Sequence, residues 1–268
     1  MPTTETRAAT LRLAETGGLA VPDVSQASTG PQGGALGPSP RVAVIIPALN
    51  EASSIGLVIR DIPRPPVAEI IVVDNGSTDG TAAVARAAGA TVLSEPRRGY
   101  GAACLTGIRQ ALDQGAEVIV FVDGDFSDYP QELPDVLRPI VEEGYDLVIG
   151  SRTRGEHERG ALLPQAVFGN WLACALIRLF WGYRFTDLGP FRAVTVEALH
   201  RLQMRDPTFG WTVEMQIKAA KLMMRCTEVP VRYRKRTGSS KVTGTVCGTL
   251  CASVKILTTI CKYLWLKV

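Results

Sequence analysis

Glu117-Val118-Ile119-Val120-Phe121-Val122-Asp123-Gly124-Asp125 reads as a buried strand that runs straight into two acids. Its nearly unbroken apolar character suits a strand covered on both faces of a parallel sheet. The same pattern recurs on both sides of it. Val42 to Pro47 and Glu69 to Val73 are short apolar runs, the second ending at Asp74, and Thr91 to Ser94 and Asp146 to Ile149 read as further strands. Between them lie helical stretches at Ala52 to Asp61, Thr81 to Ala88, Tyr100 to Gln114 and Pro130 to Glu143, with Gly89 and Gly115 placed to stop two of them. Strands alternating with helices at this spacing predict βαβ units and an α/β fold with a mostly parallel sheet.

Beyond Ile149 the character changes. Gln165 to Trp181 reads as a long apolar helix, Asp187 to Val194 as a return to the sheet and Trp211 to Met224 as a helix. Val229 to Arg236 reads as a strand with alternating faces. Val246 to Leu266 is long enough to resemble a membrane span, but Lys255 and Lys262 interrupt it. Cys247, Leu250, Val254, Leu257, Cys261 and Leu264 recur at helical spacing, so the segment is an amphipathic helix that packs on the domain or lies in a membrane interface. The expected organisation is a disordered tail over residues 1–40, a catalytic domain over 41–245 and a C-terminal amphipathic helix over 246–268.

The 268 residues are 46% hydrophobic, enough for a sizeable core, and carry a net charge of +3, which gives no nucleic-acid signal. None of the six cysteines forms a C-x-x-C pair and there are only two histidines, so a structural zinc site is not expected. Reduced thiols and the lack of a secretory signal predict a cytoplasmic protein.

The chemistry gathers at strand ends. Asp123 and Asp125, two apart in extended chain, share a face and reach one hard cation, although Asp and Gly also make ordinary turns. Asp128 follows as a third acid or a helix-start residue. Asp74 is placed to accept hydrogen bonds from a base or ribose, while Asp79 reads as a helix cap. Asn50 and Glu51 hold a nucleoside or cap a helix. Arg97, Arg98 and the glycines 99 and 101 precede a helix, an arrangement that lets phosphate approach the backbone. A dinucleotide fingerprint is disfavoured there, because Cys104 occupies the third glycine position. Arg232, Arg234 and Arg236 fall on one face of the late strand, with Lys241 beyond, and together suit phosphate.

Taken in order, several stretches resemble family-two glycosyltransferases of the GT-A fold, most closely the dolichyl- and polyprenyl-phosphate sugar synthases. They are Ile46 to Glu51, Val72 to Thr81, Asp123-Gly124-Asp125, Gly150-Ser151-Arg152, Asp187 to Arg192, and the Arg236 to Lys241 loop. The likeness spans roughly residues 41 to 245. It implies a Rossmann-like GT-A sheet flanked by helices. Pro47, Asn50, Glu51 and Asp74 then line a nucleoside pocket for a UDP- or GDP-linked sugar. Asp123 and Asp125 bind Mg²⁺ or Mn²⁺ with the diphosphate, and Arg97 and Gly99 lie on the phosphate side. Arg152, Arg236 and Lys241 contact phosphates, and Asp187 and Arg192 shape the acceptor side. The reaction implied is inverting transfer to a polyprenyl (dolichyl or undecaprenyl) phosphate at the cytoplasmic membrane face, with peripheral membrane contact. Three features depart from that branch: Ser127 stands where a Gln is frequent, Leu188-Gly189-Pro190 replaces Thr-Ser-Gly, and no spanning helices follow.

Two other readings remain. Transfer to a hydroxyl of a glycan or soluble acceptor needs a base, for which Asp187 and Glu214 are the candidates. A protein that only binds nucleotide sugars is the third, since fold does not fix function.

Overall fold

The computed structural model describes residues 39–238 and 246–266, the side chains of 246–253 excepted. The expected tail therefore lies almost wholly outside the described residues, as does Lys241. Elements follow in the order β1 (Val42–Ala48), α1 (Ile55–Asp61), β2 (Val67–Asp74), α2 (Thr81–Ala87), β3 (Thr91–Ser94), α3 (Tyr100–Asp113) and β4 (Val118–Phe121). A 3-10 turn (Pro130–Glu132) then leads into α4 (Leu133–Glu143), β5 (Leu147–Ser151), α5 (Pro164–Trp181), β6 (Arg192–Thr195), α6 (Val196–Leu202), α7 (Trp211–Lys221), β7 (Cys226–Pro230) and α8 (Val246–Trp265).

Seven strands form one sheet in the order β3-β2-β1-β4-β6-β5-β7. β6 alone runs antiparallel, between β4 and β5. Alternate residues feed two cores. Val42, Val44 and Ile46 of β1 with Val118 and Val120 of β4 pack toward α1 and α4. Ala43 and Ile45 with Ile119 and Phe121 pack toward α3 and α7. Burial on both faces is why these strands read as continuous apolar runs.

The chain winds outward from β1 to β3, then crosses back to place β4 on the other side of β1. This reversal makes the crevice beyond the carboxyl ends of β1 and β4 the natural binding site of such a sheet. The pair is in register from Val42 opposite Val118 to Ile45 opposite Phe121, so both strands deliver their following loops to the same place.

One sequence expectation is corrected. The late strand is shorter and earlier than Val229 to Arg236. Its paired run with β5 ends at Pro230 opposite Ser151, with one further bond from Val231 N to Ser151 O at 3.2 Å. The chain then crosses the loop after β4: Arg234 N donates to Ser127 O and Thr237 N to Asp125 O (both 2.9 Å). Val231 and Tyr233 still point inward, so the alternation is real without a strand. The short α6 was not foreseen; Thr195 Oγ1 caps it by accepting from Ala198 N at 3.1 Å.

The expected C-terminal amphipathic helix is present as α8, and the structure adds its orientation. Val254, Leu257, Cys261 and Leu264, four of the positions in its sequence stripe, face outward, while Thr259, Ile260 and Tyr263 are buried. Lys255 explains the rotation, because its ammonium turns inward to Asp206 at 2.8 Å. Among the described residues no helix is long and apolar enough to cross a membrane.

α3 lies close on β1 because Gly107 faces Ile45: a Cβ there stands 2.5 Å from Ile45 Cγ2. Gly107→Ala is expected to overpack this contact and cost about 1–3 kcal/mol, read as a fall of several degrees in thermal midpoint.

Candidate functional site

A cavity of ≈ 360 Å³ opens beyond the carboxyl ends of β1, β2 and β4. Pro47, Ala48, Leu49 and Glu51 line it from the loop after β1, Asn75 from the end of β2, and Asp123, Gly124 and Asp125 from the end of β4. A second cavity of ≈ 430 Å³ adjoins it, reaching Arg152, Tyr233 and Lys235 and the apolar Leu162, Leu163 and Ala166. Tyr100, Asp123, Phe209 and Arg236 line both, so the two spaces meet at these four side chains.

The acids at this junction are crowded. Burial first, and then the neighbouring Asp125 charge, push Asp123 up to about 7. Burial, Asp123 and Asp125 push Asp128 well above the carboxylate range. Asp125 is held by Arg236 Nη2 at 2.5 Å and by Ser127, whose hydroxyl donates to Oδ1 at 2.5 Å. Asp123 Oδ1 and Asp128 Oδ1 are enclosed and have no hydrogen-bond partner. A hard cation relieves such a cluster, which Arg236 alone neutralises only in part. Among the described residues no group of three or more His, Cys, Asp or Glu side chains is arranged to hold a metal ion by itself. Mg²⁺ does not need one, since it takes one or two carboxylates and completes its shell with water and phosphate oxygens. The residues present therefore fit a divalent ion bound together with a diphosphate.

Residues 43–198 match the glycosyl transferase family 2 model. This chain belongs to glycosyl transferase family 2. An uncharacterised glycosyltransferase of Mycobacterium tuberculosis is 36% identical over 216 residues, 79% of this chain and 94% of the relative. The undecaprenyl-phosphate mannosyltransferase of Micrococcus luteus is 32% identical over 222 residues, 78% of this chain and 90% of that protein. Among solved structures, glucosyl-3-phosphoglycerate synthase of M. tuberculosis with Mn²⁺, UDP and glucosyl-3-phosphoglycerate superposes with a TM-score of 0.68 at 25% identity, covering 85% of this chain and 81% of that one. The sheet and its helices are those of the GT-A fold.

In this family-two glycosyltransferase, Pro47, Glu51, Gly99, Asp123, Asp125 and Arg236 line the first cavity, and Asp123, Arg152 and Arg236 the second. Asn50, Asp74, Arg97, Asp187 and Arg192 line neither cavity. Asn50 Oδ1 accepts from Thr78 N at 2.8 Å and Asp74 Oδ1 from Ser77 N at 2.9 Å, so both brace the turn after β2. Arg97 is exposed; its backbone bonds to Glu95 and Asn75. Asp187 grips Arg152 twice, from Oδ2 to Nε at 2.8 Å and from Oδ1 to Nη2 at 2.6 Å. Arg192 is fully buried and donates to Leu188 O at 2.9 Å and Thr212 O at 3.2 Å, tying the loop before β6 to α7.

The glycines before α3 serve a different purpose from the phosphate approach expected of them. A Cβ at Gly101 stands 1.9 Å from Asp206 O, and one at Gly99 2.2 Å from Pro207 O. Gly99 N donates to Asn75 Oδ1 (2.7 Å), Gly101 N to Thr208 O (3.3 Å) and Ala102 N to Pro207 O (2.9 Å). The space left by the glycines is filled by the 206–208 backbone, which consumes these amides. The arginine face is likewise divided. Arg232 pairs with Glu132, and Arg234 donates to Phe126 O (2.6 Å) and Asp128 O (2.9 Å) and lies over the Phe126 ring. Only Arg236 of the three lines a cavity.

Arg98, read from sequence with Arg97 on the phosphate side, lines the first cavity, and sequence reasoning gave no role to Thr208 or Phe209, which line it too. Thr208 and Phe209 lie on a loop without a motif, and the one hint of them was the pair of glycines that makes room for it. That loop is braced from behind by Glu214. Its carboxylate accepts from Asp206 N (2.7 Å) and Tyr263 Oη (2.6 Å) and pairs with Lys218 at 2.8 Å, all within the core. Glu214→Leu strands the Lys218 ammonium and is expected to cost about 3–5 kcal/mol. Differential scanning calorimetry should show the midpoint falling by roughly 10 °C.

Proposed function

We propose that this chain is an inverting, metal-dependent hexosyltransferase that moves a sugar from a UDP- or GDP-linked donor to a polyprenyl phosphate. The observation that carries this reading is the second cavity: cationic at Arg152 and at Arg236, the latter on the wall shared with the first, and apolar toward α5, at Leu162, Leu163 and Ala166. A phosphate on a hydrocarbon tail matches that polarity. The Micrococcus relative named for an undecaprenyl-phosphate acceptor supports it.

In this reading the nucleoside end of the donor occupies the first cavity between Pro47, Glu51 and Asn75. Asp123 and Asp125 hold Mg²⁺ or Mn²⁺, which when bound neutralises charge on the departing nucleoside diphosphate. The Mn²⁺ in the synthase of similar fold supports this assignment. Arg236, on the wall between the cavities, and Lys241 beyond it contact phosphate. Asp187 fixes Arg152 as a rigid guanidinium facing the second cavity, where it aligns an acceptor phosphate. A phosphate oxygen is already ionised at neutral pH, so positioning and charge complementarity carry the step. Transfer to a hydroxyl calls for a free base. Asp123 is the only carboxylate among the residues lining the second cavity, while Asp187 and Glu214 are committed to Arg152 and to the core network. The lack of a spare base favours the phosphate acceptor.

The outer surface favours a peripheral membrane site. Val167, Phe168, Trp171, Leu179 and Phe180 of α5 are exposed, as are Val254, Leu257, Leu264 and Trp265 of α8, which packs beside it. Such apolar area suits contact with a bilayer that presents the acceptor at the mouth of the second cavity. The acidic pair and cationic cleft likewise favour turnover over mere binding of nucleotide sugars.

The test is a screen of labelled UDP- and GDP-sugars with undecaprenyl phosphate, phosphoglycerate and a free glycan as acceptors. Label is expected in the lipid phase with Mn²⁺ or Mg²⁺ and not with chelator; label only in a water-soluble product refutes the lipid acceptor. Asp125→Asn is expected to lower turnover at least 10²-fold, on the order seen when a charge-stabilising group is lost, with an unchanged far-UV circular dichroism spectrum.

A further inference from the structure

The hydroxyl of Tyr100 is the one neutral group at the junction of the two cavities that has no partner. Tyr100 opens α3, and its backbone is pinned on both sides by the bonds of Gly99 N to Asn75 and of Gly101 N to Thr208 O. The ring is therefore held in place before any ligand arrives. Tyr100 Oη and Asp123 Oδ1 are both enclosed and both lack a hydrogen-bond partner. A phenol is protonated at neutral pH and can donate. A donor and an acceptor thus stand close enough to interact, on the wall that also carries Arg236 and Phe209. Leaving both groups unsatisfied is costly in a water-excluded site. Phenylalanine has the same shape without that cost, so the hydroxyl gains nothing for the ligand-free fold.

We propose that Tyr100 is a positioning residue of the cation site: its hydroxyl turns to donate to Asp123 Oδ1 and so fixes the carboxylate that would hold the cation. This rests on the reading of Asp123 and Asp125 as metal carboxylates. Carboxylate ligands are commonly oriented by such a hydrogen bond, and loss of one typically weakens metal affinity by about 10–100-fold. Among the described residues, the cations that act on Asp123 are engaged elsewhere, Arg152 with Asp187. The nearby Arg236 is engaged with Asp125, and Ser127 donates to Asp125 as well.

The experiment titrates Mn²⁺ into the full chain, following free Mn²⁺ by electron paramagnetic resonance, with UDP present in one arm and GDP in another. Tyr100→Phe is expected to raise the Mn²⁺ Kd about tenfold or more in the arm that binds. Nucleotide affinity without metal should stay unchanged, and the metal-free thermal midpoint should stay the same or rise. A Kd within twofold of wild type overturns the inference, as does an equal loss of metal-free nucleotide affinity, which marks a merely structural role. Asp125→Asn separates the two levels. If it binds Mn²⁺ as well as wild type, the metal reading fails and this inference with it. If it loses Mn²⁺ while Tyr100→Phe keeps it, the positioning role alone fails.

Discussion

The concentration of negative charge at the carboxyl end of β4 is the constraint on which the rest of the site depends. Asp123, Asp125 and Asp128 fall within six residues, and two of them have an enclosed oxygen without a partner. Carboxylates so placed cannot all be ionised unless positive charge is brought to them. The fold brings it by extending the chain beyond β7 across the loop after β4, which places Arg234 on Phe126 O and Asp128 O and Arg236 on Asp125. The same crossing positions Tyr233 under Arg152, 5.1 Å from guanidinium to ring centre. One basic segment thus stabilises the acidic loop and builds the wall between the two cavities.

That arrangement settles which groups can meet a phosphate. In dinucleotide-binding folds, free amides at a glycine-rich helix start receive the pyrophosphate. Here the amides of Gly99, Gly101 and Ala102 are spent on Asn75, Thr208 and Pro207. What remains in the first cavity is side-chain charge: Arg98, Arg236 with its partner Asp125, Asp123 and Glu51. In the proposed reading a diphosphate would meet guanidinium groups directly and the carboxylates through a cation. The sheet belongs to the same broad architecture as a dinucleotide-binding domain, yet its chemistry is moved from backbone to side chains.

Most of the sheet was legible because its strands are buried on both faces and end at acids, as at Asp74 and Asp123. Thr91 to Ser94 was read with its observed bounds, and β1, β2 and β4 within two residues at either end. The late strand misled because alternation of Val231 and Tyr233 with arginines records one buried face, whatever that face packs on. Nothing in the sequence says that the partner is a loop rather than a strand. For α8 the apolar stripe was visible but its direction was not, since that follows from the long-range pairing of Lys255 with Asp206. Site residues on strand ends carried a local signal. Thr208 and Phe209 carried none, because their place is fixed by contacts about a hundred residues away, at the start of α3.

The same loop shows why buried charge sits so far from the acidic centre. Residues 205–209 form neither helix nor strand and need outside support to keep a wall in place. On one side, Thr208 O and Pro207 O accept from the amides at the start of α3. On the other, Glu214 holds Arg205 N and Asp206 N while also binding Lys218 and Tyr263, and Lys255 holds the Asp206 side chain. Replacing such a network by apolar packing often preserves or improves stability, so stability alone is a weak account of it. Its hydrogen bonds are directional, and they fix the loop relative to α3 on one flank and α8 on the other. Phe209 therefore keeps its place at the junction of both cavities through contacts made by α8, the helix whose outer face is apolar.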